Sequence, residues 1–215
     1  MKIFVNIIFF ILMSASVADA QSSMREVWID MPDSVVAYLN KNNRSEMVEF
    51  YQMKVKASSK NLLEGESAID TLTEDYIRVV LNEKTTMQLK CLQKGASYII
   101  CVVKTFVAPE PESEISFFNA SWQPLGGSFG LPSSGDADAL LKDFSTRPDT
   151  ISLDRQEELA SMLDPVMFSA ELSVSEPAII LRLSYPMLVD EDKQNLNAVF
   201  KPRKFKWNGQ TFIEC

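Results

Sequence analysis

Residues 85–106 read TTMQLKCLQKGASYIICVVKTF, and their pattern sets the fold class. Met87, Leu89 and Cys91 alternate on one face of the first arm, and Ile99, Cys101 and Val103 on one face of the second. This period-two spacing belongs to strands with a buried face. Lys94-Gly95-Ala96 interrupts the run at a residue that turns freely, so the arms are expected to form an antiparallel hairpin. The second arm, continued to Val107, is rich in β-branched residues and reads as a central strand. Register decides where the thiols fall. With a three-residue loop at 94–96, Cys91 faces Ile99 and Cys101 lies diagonal to it. With the loop at Gly95-Ala96-Ser97, Cys91 stands opposite Cys101, and the two become candidates for a disulfide. The other reading is two buried thiols on the core face. Cys215 is left as an odd thiol that could pair within or between chains. No CxxC motif occurs, so a thioredoxin-like role has no support.

Working outward, Tyr76–Leu81 reads as a strand before the hairpin and Ile115–Trp122 as one after it, closed by Pro124. Upstream, Val27-Trp28-Ile29 is a short apolar leader. Pro32-Asp33-Ser34 opens a helical stretch with Val35, Val36 and Leu39 on its apolar side. Asn43 and Glu46 have capping-box spacing, with Met47, Phe50, Tyr51 and Lys54 following at helical intervals. Residues 57–75 are polar, with a turn at Gly65. Downstream, PLGGSFGLPSSGD at 124–136 is the clearest boundary. Helices are expected from Ala137 to Phe144 and, capped by Asp154 and Glu157, to Leu163. Four strands then follow, Met167–Val174, Ile179–Tyr185, Leu196–Phe200 and Phe205–Phe212. The expected class is α+β. Two tandem halves, 21–125 and 153–215, flank a linker at 126–152, and each consists of a helix and four antiparallel strands. An internal duplication would give this layout.

Residues 1–20, MKIFVNIIFFILMSASVADA, have the parts of an export signal: Lys2, an apolar run broken only by Asn6, and Ala18-Asp19-Ala20 as a cleavage site. Cleavage after Ala20 leaves Gln21 first. The run is too short to span a bilayer. The expected location is outside the cytoplasm, without a transmembrane anchor and away from ATP and NAD(P)H. The formal net charge of −8 argues against nucleic acid and anionic membranes. The basic cluster Lys201, Arg203, Lys204 and Lys206 reads as a solvated turn.

The chain has no histidine. That removes Ser-His-Asp and Cys-His catalysis and histidine-built zinc sites. Asp190-Glu191-Asp192 lacks the spacing of a calcium loop, and Asp136-Ala137-Asp138 reads as a cap. Gly126-Gly127-Ser128-Phe129-Gly130 lacks the lysine and helix of a phosphate loop. No catalytic, cofactor-binding or metal-binding residue is assigned, and no cofactor is expected.

The blocks MPDSVVAYLNKNNRSEMVEF, LTEDYIRVVLNEKTTMQLKCL, YIICVVKTF, SEISFFNASWQPL, LSYPMLVDED and KWNGQTF occur in this order. With them the chain resembles DUF3256, a family of uncharacterised exported proteins of Bacteroidales. The resemblance brings no activity. It implies a Gram-negative host and the periplasm or cell exterior, and with them O-glycosylation at Asp-Ser/Thr-apolar triplets. Asp33-Ser34-Val35, Asp70-Thr71-Leu72 and Asp149-Thr150-Ile151 make Ser34, Thr71 and Thr150 candidates, although turns and caps favour the same pairs.

These readings converge on a non-enzymatic exported interaction module that binds a protein or envelope component, with Phe117, Trp122, Phe205 and Trp207 as candidate interaction aromatics. The alternative is a small-molecule or lipid binder with an apolar pocket between helix and sheet. A carboxylate-based hydrolase comes third.

Overall fold

The computed structural model describes residues 23–107, 109–132, 141–142, 144–146, 152–163, 166–185 and 188–215. Two helices, α1 (Met24–Ile29) and α2 (Lys41–Gln52), precede seven strands: β1 (Ser58–Lys60), β2 (Glu66–Leu72), β3 (Tyr76–Asn82), β4 (Thr85–Lys94), β5 (Ser97–Val107), β6 (Pro111–Asn119) and β7 (Pro124–Leu125). Then come α3 (Leu153–Ser161), β8 (Met167–Leu172), β9 (Ala178–Ser184), α4 (Asp190–Val199), β10 (Arg203–Trp207) and β11 (Phe212–Glu214). The first seven strands form one sheet in chain order, and the last four a second, ordered β11-β10-β9-β8.

The class is mixed helix and antiparallel sheet, as the hairpin implied, but a repeated helix-plus-four-strands unit is not what the two parts contain. Leu196, Val199 and Phe200, expected in a strand, have helical spacing. They belong to α4 and its C-cap, and the acidic run at 190–192 forms the helix's first turn, where negative charge suits the dipole. The expected strand Phe205–Phe212 is split by a turn in which Asn208 Oδ1 accepts from the Gln210 and Thr211 amides, both at 2.9 Å. β1 and β2 come from the polar stretch at 57–75, where hydrogen-bonded serines share the buried positions with Ile69. Ser67, fully buried, donates to the Leu81 carbonyl at 2.7 Å, and Asn61 donates to Ser67 at 3.1 Å.

Both helix starts lie upstream of the expected capping boxes. Asn40, not Asn43, caps α2, its Oδ1 accepting from the Asn43 amide at 3.0 Å. Ser152, not Asp154, caps α3. The stretch 32–39 is a series of turns rather than a helix. Arg44, 1% exposed, lies beneath it and donates to the Ile29, Met31 and Leu39 carbonyls and to Asp33.

The seven-stranded sheet has a core on each face. Met87, Leu89, Cys91 and Ile100 pack with Trp28 and Met47 under α1 and α2. Cys101, Val103 and Phe117 pack on the other face with Ala170, Ile179 and Leu181 of the second sheet, joined by Leu159, Leu196 and Val199. Phe129, Leu131 and Phe144, from the stretch expected as a linker, lie in or against this second core.

The second sheet meets the first through the edge of β8. The outward amides of Ala170 and Leu172 donate to Ser113 Oγ at 2.9 Å and Gln88 Oε1 at 3.0 Å. Lys90 Nζ donates to the Val174 carbonyl at 2.9 Å. Thr105 braces Ser113 at 2.8 Å, and the Tyr76 hydroxyl donates to Gln88 at 3.2 Å. An edge that would otherwise recruit a foreign strand is therefore satisfied by side chains standing on the face of the neighbouring sheet.

Gly130 locks the loop after β7 to β11. Its φ is +84°, and a Cβ there would lie 2.4 Å from Thr211 Oγ1 and 2.5 Å from the Phe212 carbonyl oxygen. Gly130→Ala is expected to cost about 2 kcal/mol, combining backbone strain and a backbone clash. Gly126→Ala, with nothing within 4 Å, is the control, and chemical denaturation compares the two.

Candidate functional site

The hairpin register places the thiols apart. Lys94 pairs with Ser97, so the loop is Gly95-Ala96. Cys91 therefore pairs with Ile100, and Cys101 with Lys90. Both expected registers are off by one residue, and a one-residue slip exchanges faces. Cys91 points into the helix-side core and Cys101 into the inter-sheet core. The proposed Cys91–Cys101 disulfide is absent, and all three thiols are free. Burial pushes the Cys91 thiol up to about 12, reinforced by the nearby Asp75 charge, and pushes Cys101 up as well. Native protein is expected to react with a thiol reagent at the exposed Cys215 alone, and at all three cysteines after denaturation. Because the unfolded thiols ionise first, the two buried ones also contribute stability that is whole below pH 9 and is lost as pH rises towards about 12.

The candidate interaction aromatics are core residues. Phe117, Trp122, Phe205 and Trp207 are each at most 8% exposed. Phe117 meets Phe129 at 4.6 Å, Trp207 meets Phe212 at 5.2 Å, and Trp207 Nε1 donates to the Gln93 carbonyl at 2.6 Å. Phe117, Phe205 and Trp207 lie in the core between the sheets and Trp122 in the helix-side core, and the four leave no aromatic surface patch of their own. Three of the four bases in the cluster are paired, Lys204 and Lys206 with Glu176 and Arg203 with Glu214, while Lys201 donates to the Asn197 carbonyl. The Lys204 ammonium holds the Glu176 carboxyl below its usual range. Ser34 is exposed and Thr71 half-buried, while Thr150 and Asp136-Ala137-Asp138 lie outside the described residues, as does the export signal. Among the described residues no cluster of three or more potential ligands could hold a metal, and no helix is long and apolar enough to cross a membrane.

The feature that stands out is the outer edge of β6. β7 pairs only with Phe117 and Phe118, and among the described residues no strand continues the sheet beside residues 111–116. The Asn119 amide bonds towards the β7 side, at the Gln123 carbonyl. By alternation, the amides and carbonyls of Ser113 and Ile115 also point outward. A groove flanks this edge on each face. On the second-sheet side, about 600 Å³ is lined by Ile115, Phe117, Leu131, Val166 and Phe168. On the helix side, about 360 Å³ is lined by Val35, Val102, Phe118 and Trp122. Glu114 and Ser116 line both grooves. An added strand would thus find outward hydrogen-bonding groups and a trough for each set of alternate side chains. Sequence reasoning missed this edge, but Pro111 opening a strand was the available signal, since proline inside sheets is confined to edges and strand starts.

A third groove, about 640 Å³, lies at the end of α2, where Tyr51, Val55 and Leu72 are interspersed with Arg25, Lys54 and Glu74. It is open and mixed in polarity. Beneath α2, Trp28 and Met47 are both fully buried.

The family model described as "Protein of unknown function (DUF3256)" matches residues 16–212. A solved domain of an uncharacterized protein from Porphyromonas gingivalis W83 is similar in fold, with a TM-score of 0.73 at 19% identity. The match covers 91% of this chain and 98% of that one. No curated protein matches the chain.

Proposed function

The chain belongs to the DUF3256 family, and from that premise we propose that it is a non-enzymatic interaction module of the periplasm or cell exterior that accepts an extended segment of an envelope protein as an added strand beside β6. The open edge between Glu112 and Ser116, grooved on both faces, carries this reading, and it ends at Pro111, whose carbonyl accepts from the Ser184 hydroxyl. The export signal at residues 1–20 supports the location. The family is of unknown function, and no enzyme is named among the matches.

The test is photo-crosslinking in the native cells from a benzophenone side chain placed at Glu112. Ile115→Pro removes an outward amide without touching the β5 pairing. Ser128→Trp fills the larger groove from its exposed rim. One dominant adduct, lost in both variants while their melting temperatures stay near that of the parent, is the expected result. An adduct that survives both variants, or no adduct at all, would overturn the proposal.

A further inference from the structure

We infer that the strand accepted by β6 carries basic residues at alternate positions, with Lys or Arg facing the helix side and apolar residues facing the second sheet. The inference rests on the edge reading above and adds the chemistry of the occupant.

Residues of β6 alternate across the sheet. Ser113, Ile115 and Phe117 share the face of the second sheet, where Ile115, Leu131, Val166 and Phe168 give the groove its apolar part. Glu112, Glu114 and Ser116 project on the helix side and are exposed. No ion pair among the described residues engages Glu112 or Glu114. Lys104, across from Glu114 on β5, donates instead to the Val35 carbonyl at 3.4 Å. Glu110 just upstream is already neutralised by Lys193 at 2.6 Å. The open edge therefore presents two carboxylates without an ion pair among the described residues, and towards the second sheet a groove of mixed lining in which Ile115, Leu131, Val166 and Phe168 supply the apolar part. Opposite charges directly across a strand pair stabilise it, and like charges destabilise it.

The same rule disfavours two other occupants. A second copy pairing β6 with β6 about Glu114 sets that carboxylate against itself. The chain's own residues 133–140, SSGDADAL, carry Asp136 and Asp138 and no base.

The probe is fluorescein-labelled Lys-Val-Lys-Leu-Lys-Val-Lys, compared with its Glu-for-Lys counterpart by fluorescence anisotropy at low ionic strength. The basic peptide is expected to bind about tenfold more tightly, the effect two exposed ion pairs allow. The preference should shrink as salt rises and reverse in Glu112→Lys/Glu114→Lys. Glu49→Lys/Glu83→Lys changes net charge equally at two exposed sites elsewhere and should keep the basic preference, which separates the edge from the overall charge of −8. Equal affinities, or a preference that both double variants alter alike, would overturn the inference while leaving the edge reading in place if Ile115→Pro still abolishes binding. Binding that ignores Ile115→Pro and Ser128→Trp, or no binding by either peptide, would overturn both.

Discussion

Replacing Arg44 with alanine is expected to destabilise the protein by about 3–5 kcal/mol, the range for removing one side of a buried charged network, and to lower the melting temperature by about 10 °C. The guanidinium is 1% exposed and supplies the hydrogen bonds of three backbone carbonyls, those of Ile29, Met31 and Leu39. These carbonyls end α1 and form the turns that follow it, where no strand or helix partner is at hand. Losing the donors leaves buried acceptors without partners, which costs more than the bonds themselves contributed. Arg44→Lys should recover only part of the loss, because an ammonium cannot reach several carbonyls at the angles of a planar fork. Asp33→Ala should cost about 1 kcal/mol, since the Asp33 carboxylate is 58% exposed and water can take its place. A loss below about 1 kcal/mol for Arg44→Ala in urea denaturation would show that the turns at 30–39 hold themselves.

The second large effect concerns Lys90 and Asp75, and it is expected to be asymmetric. Lys90 is 1% exposed and its Nζ lies 2.9 Å from Asp75 Oδ2, whereas Asp75 is 42% exposed. Asp75→Ala leaves an ammonium inside the inter-sheet seam with only the Val174 carbonyl and the Tyr76 ring, 5.7 Å away, as partners. A cost of about 3 kcal/mol is expected, the range for removing one partner of a buried pair. Lys90→Met keeps the buried stem and returns a half-exposed carboxylate to water. About 1 kcal/mol is expected, chiefly for the orphaned Val174 carbonyl. The double variant should be nearer to Lys90→Met than to the sum, and thermal melts of the four proteins measure the coupling. Additivity would mean that the two charges do not sense each other.

How much of this was legible in the sequence follows from what each residue faces. The β3–β5 meander was readable because one face of each strand is apolar and meets helices, and the end of β6 because Ile115 and Phe117 face the second sheet. β1 and β2 were not, since among their buried positions only Ile69 is a large apolar residue, while Ser59 and Ser67 hold the others, which hydropathy reads as loop. In β4 the polar set Gln88 and Lys90 alternates with Met87 and Leu89, the pattern of a half-solvated strand. Here the polar set receives another sheet, and both faces are buried. The interaction aromatics were misplaced for a related reason: β10 and β11 are short, yet Trp207 and Phe212 close the inter-sheet core. The candidate site escaped notice because the expected strand began at Ile115, past Glu112, Ser113 and Glu114. A free edge is a property of what fails to pair with a strand, which local periodicity does not encode.

The seam that receives β8 also has a consequence for the order in which the molecule assembles. Its acceptors and donor sit on β4 and β6, while its counterparts on the chain come 57 to 84 residues later. Until the meander is complete and in register, Ser113, Gln88 and Lys90 do not form a row. The C-terminal sheet then has no surface on which to dock and shows a bare edge to its surroundings. Long-range contacts of this kind slow folding, and a half-formed intermediate with an uncovered strand is the species prone to associate with its neighbours. In vectorial emergence, N-terminus first, the receiving surface is finished before the strand that needs it. A circular permutant that begins at β8 reverses that sequence of events, and it should refold more slowly and aggregate more than the parent even where the final structures agree.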